Sequence, residues 1–357
     1  MRACWICYGL ILCVALLFQV RLTLGAQAQT GAALIPKFDL KASGLELERR
    51  TNLGSFFNVV GRRSVVAGYE NRALEAWVYP LKVLDDFKLS FRLPGYPLEF
   101  DGPDLAVSIN ARPEATTFTY SHAAFTVRHI IFAPIEEPGI VMLLDVQSVL
   151  PLSVKASFRP RLKLMWPAGL MTGNLGWDEK TRVYYITEET KRFVGVIGSP
   201  AAQDVSVMPY QEEPRDVPTE FIIEASGEAL KSHFIPIIIA GGVEGREAAK
   251  ATYDKLLGST QSLYEKNVAY YERLQAETLS IKTPDEDFNR TLAWAKVGVD
   301  KGMATNPLLG TGLLAGFRTS GDSERPGFAW FFGRDALWTA FAITSYGDFA
   351  STRTALE

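Results

Sequence analysis

From about Lys37 to Gly242 apolar and polar residues alternate in short runs, the two-residue period of strands with one buried face. Thr117-Phe118-Thr119-Tyr120 and Phe125 to Ile130 form two such runs across a short turn, and Leu152, Val154, Ala156 and Phe158 alternate with polar neighbours. Arg182 to Ile186, Arg192 to Val196, Phe221 to Ile223 and His233 to Ala240 read the same way, and Gly176-Trp177-Asp178-Glu179-Lys180 carries turn chemistry. Many short strands with few helix signals predict a large antiparallel β-sandwich over residues 29–244. The period then changes. Between Gly245 and Leu279 there is no proline, and Tyr253, Leu256, Leu257, Leu263, Tyr264, Val268, Tyr271 and Leu274 recur at helical spacing. Residues 245–280 therefore read as a linker of one long or two shorter helices. Thr283-Pro284-Asp285-Glu286 supplies a cap, a proline at the first helical position and acidic first-turn residues for a helix ending near Gly302. A glycine-rich loop, Asn306 to Gly327, leads to a helix from Asp335 to about Tyr346, and Gly347-Asp348 opens another that is unfinished at Glu357. Residues 281–357 are thus expected to begin a helical domain.

The first 28 residues differ from all this. Arg2 precedes an apolar run from Ile6 to Val20, then Arg21, then Ala26-Gln27-Ala28, a small-x-small cleavage pattern. This predicts a secretory signal peptide over 1–28 and export to a bacterial periplasm or beyond, with an uncleaved membrane anchor as the alternative. The three cysteines, Cys4, Cys7 and Cys13, all lie in that segment, so the processed chain would carry no disulfide and no thiolate metal site. His122, His129 and His233 have no metal-ligand spacing. A net charge of −3 leaves no electrostatic footprint for nucleic acid. No cofactor is expected, and no membrane contact once the leader is cleaved.

The most informative chemistry lies between Arg325 and Trp338. Phe328-Ala329-Trp330-Phe331-Phe332-Gly333 runs directly into Arg334-Asp335 where an apolar helix begins. Large aromatic faces beside a fixed charge pair suit a ligand with apolar C–H faces and many hydroxyls, which is a sugar. Asp335 is placed at the helix N-cap and Arg334 offers a rigid fork of donors. Taken alone, the pair reads as a cap and a salt bridge. Trp330 is the candidate stacking surface; Phe331, Asp322 and Glu324 are candidate cleft residues, although a charged glycine-rich loop can be merely solvated. Phe328 and Trp338 are read as core. Glu70-Asn71-Arg72 and Trp77-Val78-Tyr79-Pro80 read as a surface hairpin.

A leader, a β-sandwich, a linker helix and Trp330-Phe331-Phe332-Gly333-Arg334-Asp335 together resemble the six-hairpin glycosidases, and within them the bacterial glycogen-debranching amylo-α-1,6-glucosidases. Residues 285–300 resemble the first barrel helix. The resemblance implies a supersandwich followed by the first helices of an (α/α)6 barrel, truncated at Glu357. It also implies that Arg334 and Asp335 bind the hydroxyls of the glucose next to the scissile bond, while the general acid and base lie on later barrel loops. Gly-Arg-Asp here follows the aromatic run directly, where the debranching pattern inserts extra residues. Glycoside hydrolysis needs two carboxyl groups flanking the scissile bond, and no pair in this chain is assigned to them. The expected function is a glycoside hydrolase of α-glucan breakdown, present as a fragment inactive by itself, with an oligo- or polysaccharide as partner. Sugar phosphorylases, trehalase-like and rhamnosidase-like enzymes remain open as alternatives, as does a non-catalytic carbohydrate-binding sandwich.

Overall fold

The computed structural model describes residues 34–165, 173–206, 218–320 and 328–357. The leader with its cysteines, and the candidate cleft residues Asp322 and Glu324, lie outside the described residues. Two antiparallel sheets face each other. The ten-stranded sheet runs in the order Gly173–Asp178, Val183–Glu188, Val194–Gly198, His233–Gly242, Gly139–Ser148, Phe125–Phe132, Thr116–His122, Ala106–Ala111 and Leu47–Arg50, with Ile35–Pro36 added beside His233–Gly242. The eight-stranded sheet runs Ala202–Val205, Thr219–Ala225, Leu152–Leu164, Leu81–Arg92, Leu74–Val78, Ser64–Tyr69 and Phe56–Val60, with Phe100–Asp101 pairing Leu81–Arg92.

Alternation along the strands explains how the sheets pack. In Gly139–Ser148 the residues Ile140, Met142, Leu144 and Val146 enter the core between the sheets, while Val141 and Leu143 join a second core on the outer face. A strand buried on both faces reads as a continuous apolar run. What covers that outer face is helical: α1 (Arg246–Gly258) and α2 (Thr260–Glu277), separated at Ser259. Ala249, Tyr253, Leu256, Leu263, Tyr264 and Val268 are their buried stripe. Gly139 permits the close approach, because a Cβ there would lie 2.4 Å from the Leu256 side chain and 2.5 Å from the Ile239 carbonyl. No helix of the described residues is long and apolar enough to cross a membrane.

Three further helices follow: α3 (Glu286–Asp300), α4 (Gly333–Ser345) and α5 (Phe349–Leu356). With the single turn Gly102–Leu105 these make six among the described residues. Several local expectations are corrected. The cap of α3 is Asp285, whose carboxylate accepts from the Asp287 and Phe288 amides at 3.0 Å, so Thr283 and Pro284 lie outside the helix. Gly176, Trp177 and Asp178 belong to a strand, and the turn begins after them. The glycine-rich segment is not a simple loop, because Met303–Asn306 and Gly310–Leu313 form a hairpin across Gly310 (φ 99°). That hairpin packs Met303 and Leu313 against Ile343 and Tyr346.

Candidate functional site

The aromatic segment ahead of α4 is held by backbone pairing. Leu314 bridges Phe331, the Ala315 amide donates to the Trp330 carbonyl at 3.0 Å, and the Gly316 amide donates to the Phe328 carbonyl at 3.1 Å. Ala329 and Leu314 are buried in one cluster with Val60, Val65, Trp77 and Tyr79 of the sandwich, and Phe317, Trp330 and Phe331 pack onto it. The aromatic segment therefore rests on the sandwich. Trp330 and Phe331 are half-buried with ring centroids 5.6 Å apart.

At the start of α4 the Arg334 guanidinium lies 3.3 Å from the Asp335 carboxylate. Their side chains are 80% and 30% exposed, so neither is sealed beneath packed atoms. The N-cap is Phe332, not Asp335, and no side chain caps this end. Asp335 instead occupies the first turn, where the helix dipole favours a carboxylate without committing both its oxygens to backbone amides. A fork of N–H donors beside a carboxylate can serve vicinal hydroxyls of one ring as donor and acceptor together.

Phe328 and Trp338 are not core residues: they are 60% and 71% exposed. The inward face of α4 is set by Ala336, Ala340 and Ile343, three to four residues apart. Leu337, Trp338 and Phe341 consequently point outward. The Trp77-Tyr79 stretch is not a surface hairpin either, since Trp77 and Tyr79 are buried under the aromatic segment. Glu70, Asn71 and Arg72 do form a turn, with the Glu70 carboxylate buried and gripped by Arg49.

Two charged groupings escaped the sequence reading. In the first, Lys82, fully buried, lies 3.1 Å from the Glu75 carboxylate and 3.2 Å from that of Asp85. Lys82 also donates to the Ser320 hydroxyl at 2.8 Å, and Arg161 donates to Asp85 at 2.7 Å. In the second, Arg62 donates to the Asp300 carboxylate at 2.7 Å and to its carbonyl at 2.6 Å, joining the sandwich to the end of α3. Tyr270 of α2 donates to the same carboxylate at 2.5 Å, and burial beside Asp300 pushes its hydroxyl pKa far up. The available signal was the placing of Glu75 and Lys82 inside, and of Asp85 just after, an otherwise apolar run from Leu74 to Leu84. Among the described residues no group of histidine, cysteine and carboxylate side chains is placed to hold a metal ion.

No protein-family model and no curated protein matches this sequence. Among solved structures, the chain is similar to a bacterial glucoamylase complexed with acarbose, at 12% identity and a TM-score of 0.57, over 90% of this chain and 52% of that one. A family GH92 inverting mannosidase from Bacteroides thetaiotaomicron aligns over 73% of the chain at 12% identity and a TM-score of 0.40, a value at which no common fold is established. The chain spans about half the length of the glucoamylase. The shared feature is the fold, an antiparallel sandwich joined to helices.

Proposed function

We propose that this chain is the N-terminal part of an exported glycoside hydrolase acting on α-glucans, with the amylo-α-1,6-glucosidase reaction as its specific form. Arg334 and Asp335 bind the hydroxyls of the terminal glucose, and the exposed part of Trp330 stacks on its ring. Water attacks the anomeric carbon while a carboxylic acid protonates the departing oxygen; both carboxyl groups are supplied from beyond Glu357. The observation that carries this reading is the solvent-reaching Arg334–Asp335 pair directly behind an aromatic segment anchored on the sandwich. The glucoamylase-like fold, covering about half of that enzyme, is its second support.

In the complete enzyme, Asp335→Asn lowers kcat/KM by about two orders of magnitude or more, as loss of a transition-state contact does; near-wild-type turnover would sink the assignment. The 357-residue chain by itself releases no glucose from maltooligosaccharide or pullulan. Measurable release would place the acid and base within these 357 residues.

A further inference from the structure

One buried charged group of the sandwich is bonded to the segment that pairs with the aromatics of the proposed sugar site. Glu75 sits in the strand Leu74–Val78 with 4% of its surface exposed. Its two carboxylate oxygens accept from the Ser320 amide at 2.9 and 3.1 Å, and one accepts from the Ser320 hydroxyl at 3.3 Å. Trp77 donates its indole N–H to the same carboxylate at 3.0 Å. Lys82 approaches Ser320 from the other side, its ammonium 2.8 Å from the hydroxyl. A carboxylate and an ammonium from two strands thus converge on one residue of a segment 245 positions away in the chain.

We infer that Glu75, paired with Lys82, is a positioning residue for the proposed sugar site, acting through the Ser320 amide. The inference rests on the function proposed above. Its physical basis is the cost of leaving a buried charge short of a partner. Release of Ser320 would withdraw hydrogen bonds from the buried Glu75 and Lys82, so the segment is held more firmly than by apolar packing alone. Ser320 closes the run that begins at Leu314, and Leu314, Ala315 and Gly316 are the residues that pair with Phe328, Trp330 and Phe331. The sandwich therefore sets where Trp330 stands, and through it where Arg334 leaves the segment. A cluster that merely braced the two strands would need no donor from the helical part.

The test is amide hydrogen exchange on the full chain, with and without maltotriose, for wild type, Glu75→Gln and Ser320→Pro. The expected result is exchange at least tenfold faster in 314–320 and 328–332, with Gly139–Ser148 unchanged and maltotriose protection of 328–338 reduced. Ser320→Pro, which removes the amide donor and leaves the sandwich strands untouched, decides the matter if Glu75→Gln does not fold. Unchanged exchange in 314–332 in the folded variants, or a rise spread evenly over the sandwich, would overturn the inference. If maltotriose protects nothing in wild type while the variants still loosen 314–332, the positioning contact stands and the sugar reading falls.

Discussion

Asp335 and Arg334 owe their availability to where α4 starts. Because Phe332 is the cap, the carboxylate stays in the first turn and partly open. Motif and charge pair were visible in the sequence because Trp330 to Asp335 are contiguous in the chain. Glu75, Lys82 and Asp85 were not, because charges in strands ordinarily face solvent; only tertiary pairing shows these to be buried. His129 is a further buried residue with a measurable consequence. Burial lowers its imidazole from the ordinary 6.5 to about 3. Between those values the unfolded chain binds a proton that the folded chain does not. Stability is therefore whole above pH 6.5 and falls as pH drops toward 3, by about 1.4 kcal/mol per unit once below pH ~6. His129→Phe, set among the rings of Phe87 and Tyr120, should flatten this acid limb in urea titrations between pH 6 and 4. An unaltered slope would show that other groups carry it.

At the level of elements, α1 and α2 were legible because eight apolar positions recur at helical spacing, and all of them but the partly buried Leu257 are buried. The hairpin Met303–Asn306/Gly310–Leu313 was not, since its glycines read as loop. Gly312 is there for a packing reason: a Cβ would lie 3.3 Å from the Phe331 ring. What fixes α2 on the sandwich is also invisible to periodicity. Asn267 is buried; its oxygen accepts from the Ile135 amide at 3.0 Å and its amide donates to the Ala133 carbonyl at 2.9 Å. Asn267→Ala strands both backbone groups, at about 1–3 kcal/mol each. A fall in Tm of several degrees by calorimetry is expected, whereas a Tm within a degree of wild type would mean that the helix is held by its apolar stripe alone.

For the molecule as a whole, the sandwich and the helical part meet at the aromatic cluster under Trp330, at the Glu75–Lys82–Ser320 contact and at the Arg62–Asp300 junction, among other places. Strand and helix periods reveal each part separately but not this joint, because it is made by residues more than 200 positions apart. The outer side of the helical part is apolar: Leu337, Trp338, Phe341 and Phe349 are 53%, 71%, 69% and 66% exposed. Apolar patches of this kind bind hydrophobic probes or associate. The 357-residue chain should therefore enhance the fluorescence of anilinonaphthalene sulfonate, and the double substitution Trp338→Glu, Phe341→Lys should remove most of that signal. Equal enhancement by the variant would place the probe elsewhere.

The proposed grip of Arg334 and Asp335 on a pyranose is tested most directly by following the Trp330 indole 15N–1H resonance of the full chain during titration with maltotriose. The account predicts a saturable shift in wild type that is absent in Asp335→Asn and in Arg334→Ala, with the other indole signals unmoved. A Trp330 signal that ignores the sugar, or one that responds identically in all three proteins, would contradict it.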